Sequence, residues 1–90
     1  MRARVRFRVR GSVQGIGYRY FVLETAERLK LAGWVRNRAD GDVEGEAEGE
    51  APALQSFLEQ LRTAHPWAVV ASLEKTDLPP TGEQGFRVAR

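Results

Sequence analysis

Residues 3 to 10 alternate strictly: Ala3, Val5, Phe7 and Val9 share one side of an extended chain, and Arg4, Arg6, Arg8 and Arg10 share the other. A period of two predicts a half-buried strand over Ala3–Arg10. Gly11 to Gly17 interrupts it with three glycines, which predicts a shaped loop. The period then lengthens. Val22, Ala26, Leu29 and Ala32, flanked by Phe21 and Thr25, form one stripe of a helix running from Tyr20 to Ala32, and Gly33 is placed to cap its C-terminus.

Trp34–Ala39 predicts a second strand, and Asp40-Gly41 a hairpin turn. In the third strand Val43, Gly45, Ala47 and Gly49 alternate with Glu44, Glu46, Glu48 and Glu50. Pro52 suits a first helical turn, after which Leu54, Phe57, Leu58, Leu61 and Ala64 make a second helical stripe. A fourth strand is expected over Trp67–Thr76, a loop at Pro79-Pro80-Thr81-Gly82, and a short edge strand within Gly85–Ala89. The order β-α-β-β-α-β plus a terminal strand predicts a ferredoxin-like α+β sandwich, an antiparallel sheet with two helices on one face. Its first and third strands are neighbours, so the Arg ladder should lie beside the Glu ladder on the helix-free, solvated face. Opposite charges paired across strands stabilise by about 0.2–1 kcal/mol each, less where solvent screens them.

Ninety residues without repeat or linker predict a single domain over 1–90. No apolar run approaches the ~20 residues that cross a bilayer, and the Arg-interrupted start is unlike a signal peptide, so a cytoplasmic location is expected. The absence of cysteine excludes disulfides, thiolate metal sites and cysteine nucleophiles. No His or carboxylate cluster has ligand spacing, so neither a metal nor another cofactor is expected. The lone His65, near the end of the second helix, is assigned a structural place, Trp34 and Trp67 core or rim packing, and Tyr18 and Tyr20, flanking Arg19, packing, with shaping of a pocket wall as the alternative. An isoelectric point near 9.5 invites RNA binding. RNA-binding modules of this fold, however, stack bases on aromatic residues of the open sheet face, where this chain carries Arg and Glu. A monomer with no nucleic-acid or membrane partner is expected.

The loop Gly11-Ser12-Val13-Gln14-Gly15-Ile16-Gly17-Tyr18-Arg19 is the segment with chemical potential. A glycine-rich turn feeding a helix directs backbone N–H groups at one spot, where the helix dipole favours an anion. Arg19, at the junction, can add a bidentate guanidinium. Neither a Gly-Lys-Ser/Thr sequence nor a third dinucleotide-type glycine follows. From the residues alone an anion cradle and a tight connector with a solvated arginine fit equally.

The same run closely resembles the acylphosphatase signature G-x-V-Q-G-V-x-[FY]-R, with Ile16 where Val is commoner. Gly33-Trp34-Val35-Arg36-Asn37 resembles that family's second signature, and Asp40–Gly49 its hairpin and acidic third strand. The resemblance spans essentially the whole chain. It implies a metal-free hydrolase of acyl phosphates, with the loop amides of Gln14, Gly15, Ile16, Gly17, Tyr18 and Arg19 and the Arg19 side chain holding the phosphoryl group, and Asn37 positioning the attacking water. The chemistry suits so few groups. The leaving carboxylate has a conjugate acid of pKa about 4 and departs without a general acid. The transition state is loose, with charge on three equatorial oxygens that need donors rather than covalent help. The alternative is a non-catalytic anion-binding or regulatory domain of the same fold.

Overall fold

The computed structural model describes residues 1–89. Seven elements follow in order: β1 (Arg2–Ser12), α1 (Tyr18–Arg28), β2 (Ala32–Asn37), β3 (Val43–Glu50), α2 (Ala51–Thr63), β4 (Val69–Leu78) and β5 (Phe86–Val88). They build one five-stranded sheet in the order β4-β1-β3-β2-β5, with α1 packed over β2 and β5, and α2 over β3, β1 and β4. This is the ferredoxin-like α+β arrangement with a fifth strand added. The apolar side of β1 enters the core as its alternation predicts: Val5, Phe7 and Val9 are buried with Val35, Val43 and Ala47 beneath Val22, Ala26, Leu54, Phe57 and Leu61. Phe7 meets Phe57 edge-to-face at 5.4 Å, a favoured aromatic geometry.

The bounds of several elements differ from the sequence expectation, β1 among them, which runs on to Ser12. Helix α1 begins at Tyr18 and ends at Arg28, short of Ala32. The left-handed residue that closes it is Lys30 (φ 59°), not Gly33. Lys30 N–H bonds Glu27 O at 3.1 Å and Leu31 N–H bonds Ala26 O at 2.9 Å, the two bonds of a Schellman turn. Burial of Leu31 in the core offsets the ~1–2 kcal/mol that a left-handed non-glycine costs. Gly33 instead lies inside β2 with φ 140°, where a Cβ would stand 1.9 Å from the Glu46 carbonyl oxygen. The second strand is accordingly Ala32–Asn37, and the fourth is displaced to Val69–Leu78.

The terminal strand changes the sheet from antiparallel to mixed, because β5 pairs with β2 in parallel. β4 and β5 occupy opposite edges, so residues 79–85 must cross the sheet, and they do so over the helix-free face. There they cover part of the charge ladder that the sequence suggested would be solvated: Glu48 is 0% and Arg4 5% exposed. The Glu48 carboxylate accepts from Thr81 N–H (2.7 Å), Gly82 N–H (2.9 Å), Arg2 Nε (2.6 Å) and Arg4 Nη1 (3.0 Å). Arg4 also reaches Glu46 and Glu83, each at 2.8 Å. Ladder and crossing segment thus form one latch.

Burial opposes ionisation of Glu48, but the Thr81 and Gly82 amides with Arg2 and Arg4 outweigh it and hold the carboxyl well below the usual range. A depressed folded pKa means that its contribution is complete above the unfolded value of about 4.3 and drains away as pH falls below that value. Glu48→Gln removes this acid-sensitive component and leaves the buried Arg4 bond and the half-exposed Arg2 bond without a charged acceptor, costing about 2–3 kcal/mol at neutral pH. Denaturant melts at pH 7 and pH 3 check both parts: the gap between wild type and variant should be wide at pH 7 and narrow at pH 3.

Candidate active site

The cradle is built where β1 ends. The β1–β4 register shifts between Arg10 and Gly11, and the chain turns through Val13, whose buried side chain anchors the loop in the core. Gly15 and Gly17 are left-handed, with φ 77° and 75°. An added Cβ at either would meet nothing within 4 Å, so conformation rather than space demands glycine. Gly17 is the N-cap of α1 and supplies no side-chain cap. The first helical bond runs from Phe21 N–H to Gly17 O at 3.1 Å. The amides of Tyr18, Arg19 and Tyr20 therefore have no intrahelical acceptor, and no acidic side chain occupies the first turn. An anion is the natural complement of such an end.

Val13, Gln14, Gly15, Gly17, Tyr18, Arg19, Tyr20 and Asn37 surround a depression of about 180 Å³. Arg19 and Asn37, 18 positions apart, thus share one concavity. The parallel course of β1 and β2, both antiparallel to β3, brings the end of β2 beside the loop. Ile16 does not line the depression; it packs against the core, leaving only its amide for a ligand. Gln14 has a role that the sequence did not suggest: its Nε2 donates to Arg38 O at 2.9 Å and Asp42 O at 3.1 Å. It fastens the loop to the β2–β3 turn, and so to the strand end that carries Asn37.

Two features mark the depression as prepared for a guest. Arg2, Arg4, Arg8, Arg10, Arg36, Arg38 and Arg62 all pair with carboxylates; Arg19, like Arg6, Arg28 and Arg87, has no such partner among the described residues, and of these four it alone lines the depression. Asn37 Oδ1 is buried and accepts no hydrogen bond from the described residues. An unmatched buried acceptor costs about 1–3 kcal/mol and calls for a functional explanation.

The neighbouring aromatic groups take structural positions. Tyr18 is buried, donates its hydroxyl to Leu61 O at 2.6 Å, and has its phenol pushed up by burial. His65 lies just past the end of α2, not within its last turn; its Nδ1 accepts from Trp67 N–H at 3.2 Å. Its ring packs on Tyr18 and Phe21, with centroids 5.8 and 5.2 Å away. Trp34 lies under the Arg36 guanidinium at 5.4 Å. Trp67 and Tyr20 depart from the packing expected of them, being 75% and 63% exposed. No group of three or more His, Cys, Asp or Glu among the described residues is disposed to hold a metal ion, and no described helix is long and apolar enough to cross a membrane.

Comparison with known proteins agrees with this geometry. The acylphosphatase of Moorella thermoacetica is 46% identical over 85 residues, covering 94% of this chain and 91% of its own. The crystal structure of acylphosphatase from Bacillus subtilis superposes with a TM-score of 0.93 at 43% identity, over the full length of both chains. That of an acylphosphatase from Coxiella burnetii gives 0.93 at 34% identity, over 98% of this chain and 93% of the other. The acylphosphatase family model itself matches residues 5–88, a span that holds the glycine loop, Arg19 and Asn37 together, and the chain belongs to the acylphosphatase family.

Proposed function

We propose that the protein hydrolyses acyl phosphates, with the loop amides and Arg19 holding the phosphoryl group and Asn37 aiming the attacking water. The water oxygen forms a bond to phosphorus as the bond from phosphorus to the acyl oxygen breaks. The bonding pair leaves with the carboxylate, and a phosphoryl oxygen takes the water's proton. No side chain changes protonation. The donors stand ready for charge that spreads over the equatorial oxygens, so they need no reorganisation during reaction.

The observation that carries this reading is the unmatched Asn37 Oδ1 in the depression that also holds Arg19. A domain that merely bound an anion would gain nothing from a buried acceptor there, since two acceptor oxygens repel unless a donor stands between them. A water molecule is such a donor: it donates one hydrogen bond to Oδ1 and turns a lone pair toward phosphorus. This favours hydrolysis over the non-catalytic alternative. The test is turnover of acetyl phosphate with inorganic phosphate present. Phosphate should inhibit competitively and, at a hundred times its dissociation constant, stabilise the fold by about 2.7 kcal/mol. Absence of turnover with phosphate still bound would restore the non-catalytic reading.

The assigned groups are an arginine and an amide, neither of which changes charge between about pH 5 and 8. The expected outcome is a kcat nearly flat across that range and undiminished by EDTA, measured on the same substrate. A steep limb within that range would require a titrating group that this mechanism lacks, and loss on chelation restored by Mg²⁺ would require a metal.

A further inference from the structure

We propose that the exposed ring of Tyr20 is the platform for the acyl half of the substrate and gives the enzyme a preference for aryl over small alkyl acyl groups. The inference rests on the hydrolytic reading above and deepens it. In phosphoryl transfer the attacking and leaving oxygens lie roughly in line through phosphorus. With the water held at Asn37 Oδ1, the acyl group must lie on the side of phosphorus turned away from Asn37. That excludes the adjoining depression lined by Arg36, Asn37, Arg38 and Glu44, which opens from Asn37 itself. Its two guanidiniums are in any case already paired with Glu44.

The rest of the cradle wall leaves one candidate. Gly15 and Gly17 have no side chain, Gln14 is tied to the β2–β3 turn, and Tyr18 is buried with its hydroxyl on Leu61. Tyr20 lines the same depression, is 63% exposed, and makes no side-chain hydrogen bond among the described residues. It lines one depression with Arg19, so an acyl substituent carried out of the cradle on the side away from Asn37 meets the ring. An aromatic acyl group can lie offset on a phenol face, and such contacts are worth about three- to tenfold in binding. An acetyl group offers too little area to gain as much.

The experiment compares kcat/KM for benzoyl phosphate and acetyl phosphate in wild type, Tyr20→Phe and Tyr20→Ala. Tyr20→Ala should lower the benzoyl-to-acetyl ratio three- to tenfold, chiefly through the KM for benzoyl phosphate. Tyr20→Phe, which keeps the ring face, should retain the wild-type ratio. An unchanged ratio in Tyr20→Ala, or an equal loss on both substrates and on phosphate inhibition, would overturn the assignment while leaving the hydrolytic reading intact. A wild-type protein that turns over neither substrate would overturn both.

Discussion

Replacing Arg19 by alanine should remove nearly all turnover and weaken inhibition by phosphate at the same time. Among the described residues the guanidinium is the only charged side chain lining the cradle, and no carboxylate among them competes for it. A bidentate charged donor contributes to ground state and transition state alike, so KM, kcat and the phosphate inhibition constant should all suffer. The loss in kcat/KM should be about 10³-fold or more, beyond the 10²–10³ seen when one neutral donor is removed. Folding should be little affected, since Arg19 makes no ion pair that its loss would break. Arg19→Lys restores the charge but not the planar fork and should recover only a small part. Steady-state kinetics with a phosphate titration check all of this. Inhibition by phosphate at wild-type strength in Arg19→Ala would show that the cradle lies elsewhere.

Asn37→Ala should separate catalysis from binding. The side chain is assigned to the water, so kcat should fall about 10²–10³-fold, with KM and phosphate inhibition within a few-fold of wild type. The structure adds a second expectation. Because Asn37 Oδ1 is buried and unmatched, its removal should leave stability unchanged or raise it by about 1 kcal/mol, observable as a higher melting temperature. Loss of activity with gain of stability is the pattern of a strained functional group rather than a structural one. Asn37→Asp keeps the shape but sets a carboxylate beside a phosphoryl group. Its KM should rise as kcat falls, and added salt should soften the rise in KM. More than half of wild-type kcat in Asn37→Ala would leave the water without its holder.

Much of this architecture was legible because period and punctuation are local. The strict alternation of β1 assigned Val5, Phe7 and Val9 to the core and the arginines to the other face. The ladder opposite followed from the Glu alternation of β3, and the register Arg4↔Glu48, Arg6↔Glu46 and Arg8↔Glu44 bears it out. What escaped depends on partners distant in sequence. The left-handed turn at Lys30 is stabilised by burial of Leu31, which no rule favouring glycine anticipates. Glu48 is buried because Thr81 and Gly82, 33 and 34 positions later, fold over it. The parallel pairing of β5 follows from that same crossing.

The site divides in the same way. Glycine spacing marked the loop, and the two signature runs singled out Arg19 and Asn37. That Arg19 lacks a carboxylate among so many paired arginines could not be seen from composition. Neither could the unmatched oxygen of Asn37, nor the tether from Gln14 to the β2–β3 turn. Packing was the expectation preferred for Tyr20, and its alternative place at the pocket wall is the one the structure gives it: periodicity says which residues face the core, but not which exposed ring stands at the rim of a cavity.

The central claim is that water attacks phosphorus, held in the cradle, and not the acyl carbon. Hydrolysis of acetyl phosphate in ¹⁸O-labelled water, followed by mass analysis of both products, tests it most directly. One solvent oxygen is expected in the released phosphate and none in the acetate. Label in the acetate would mean attack at the carbonyl carbon, and would contradict the roles given to Arg19 and Asn37 together.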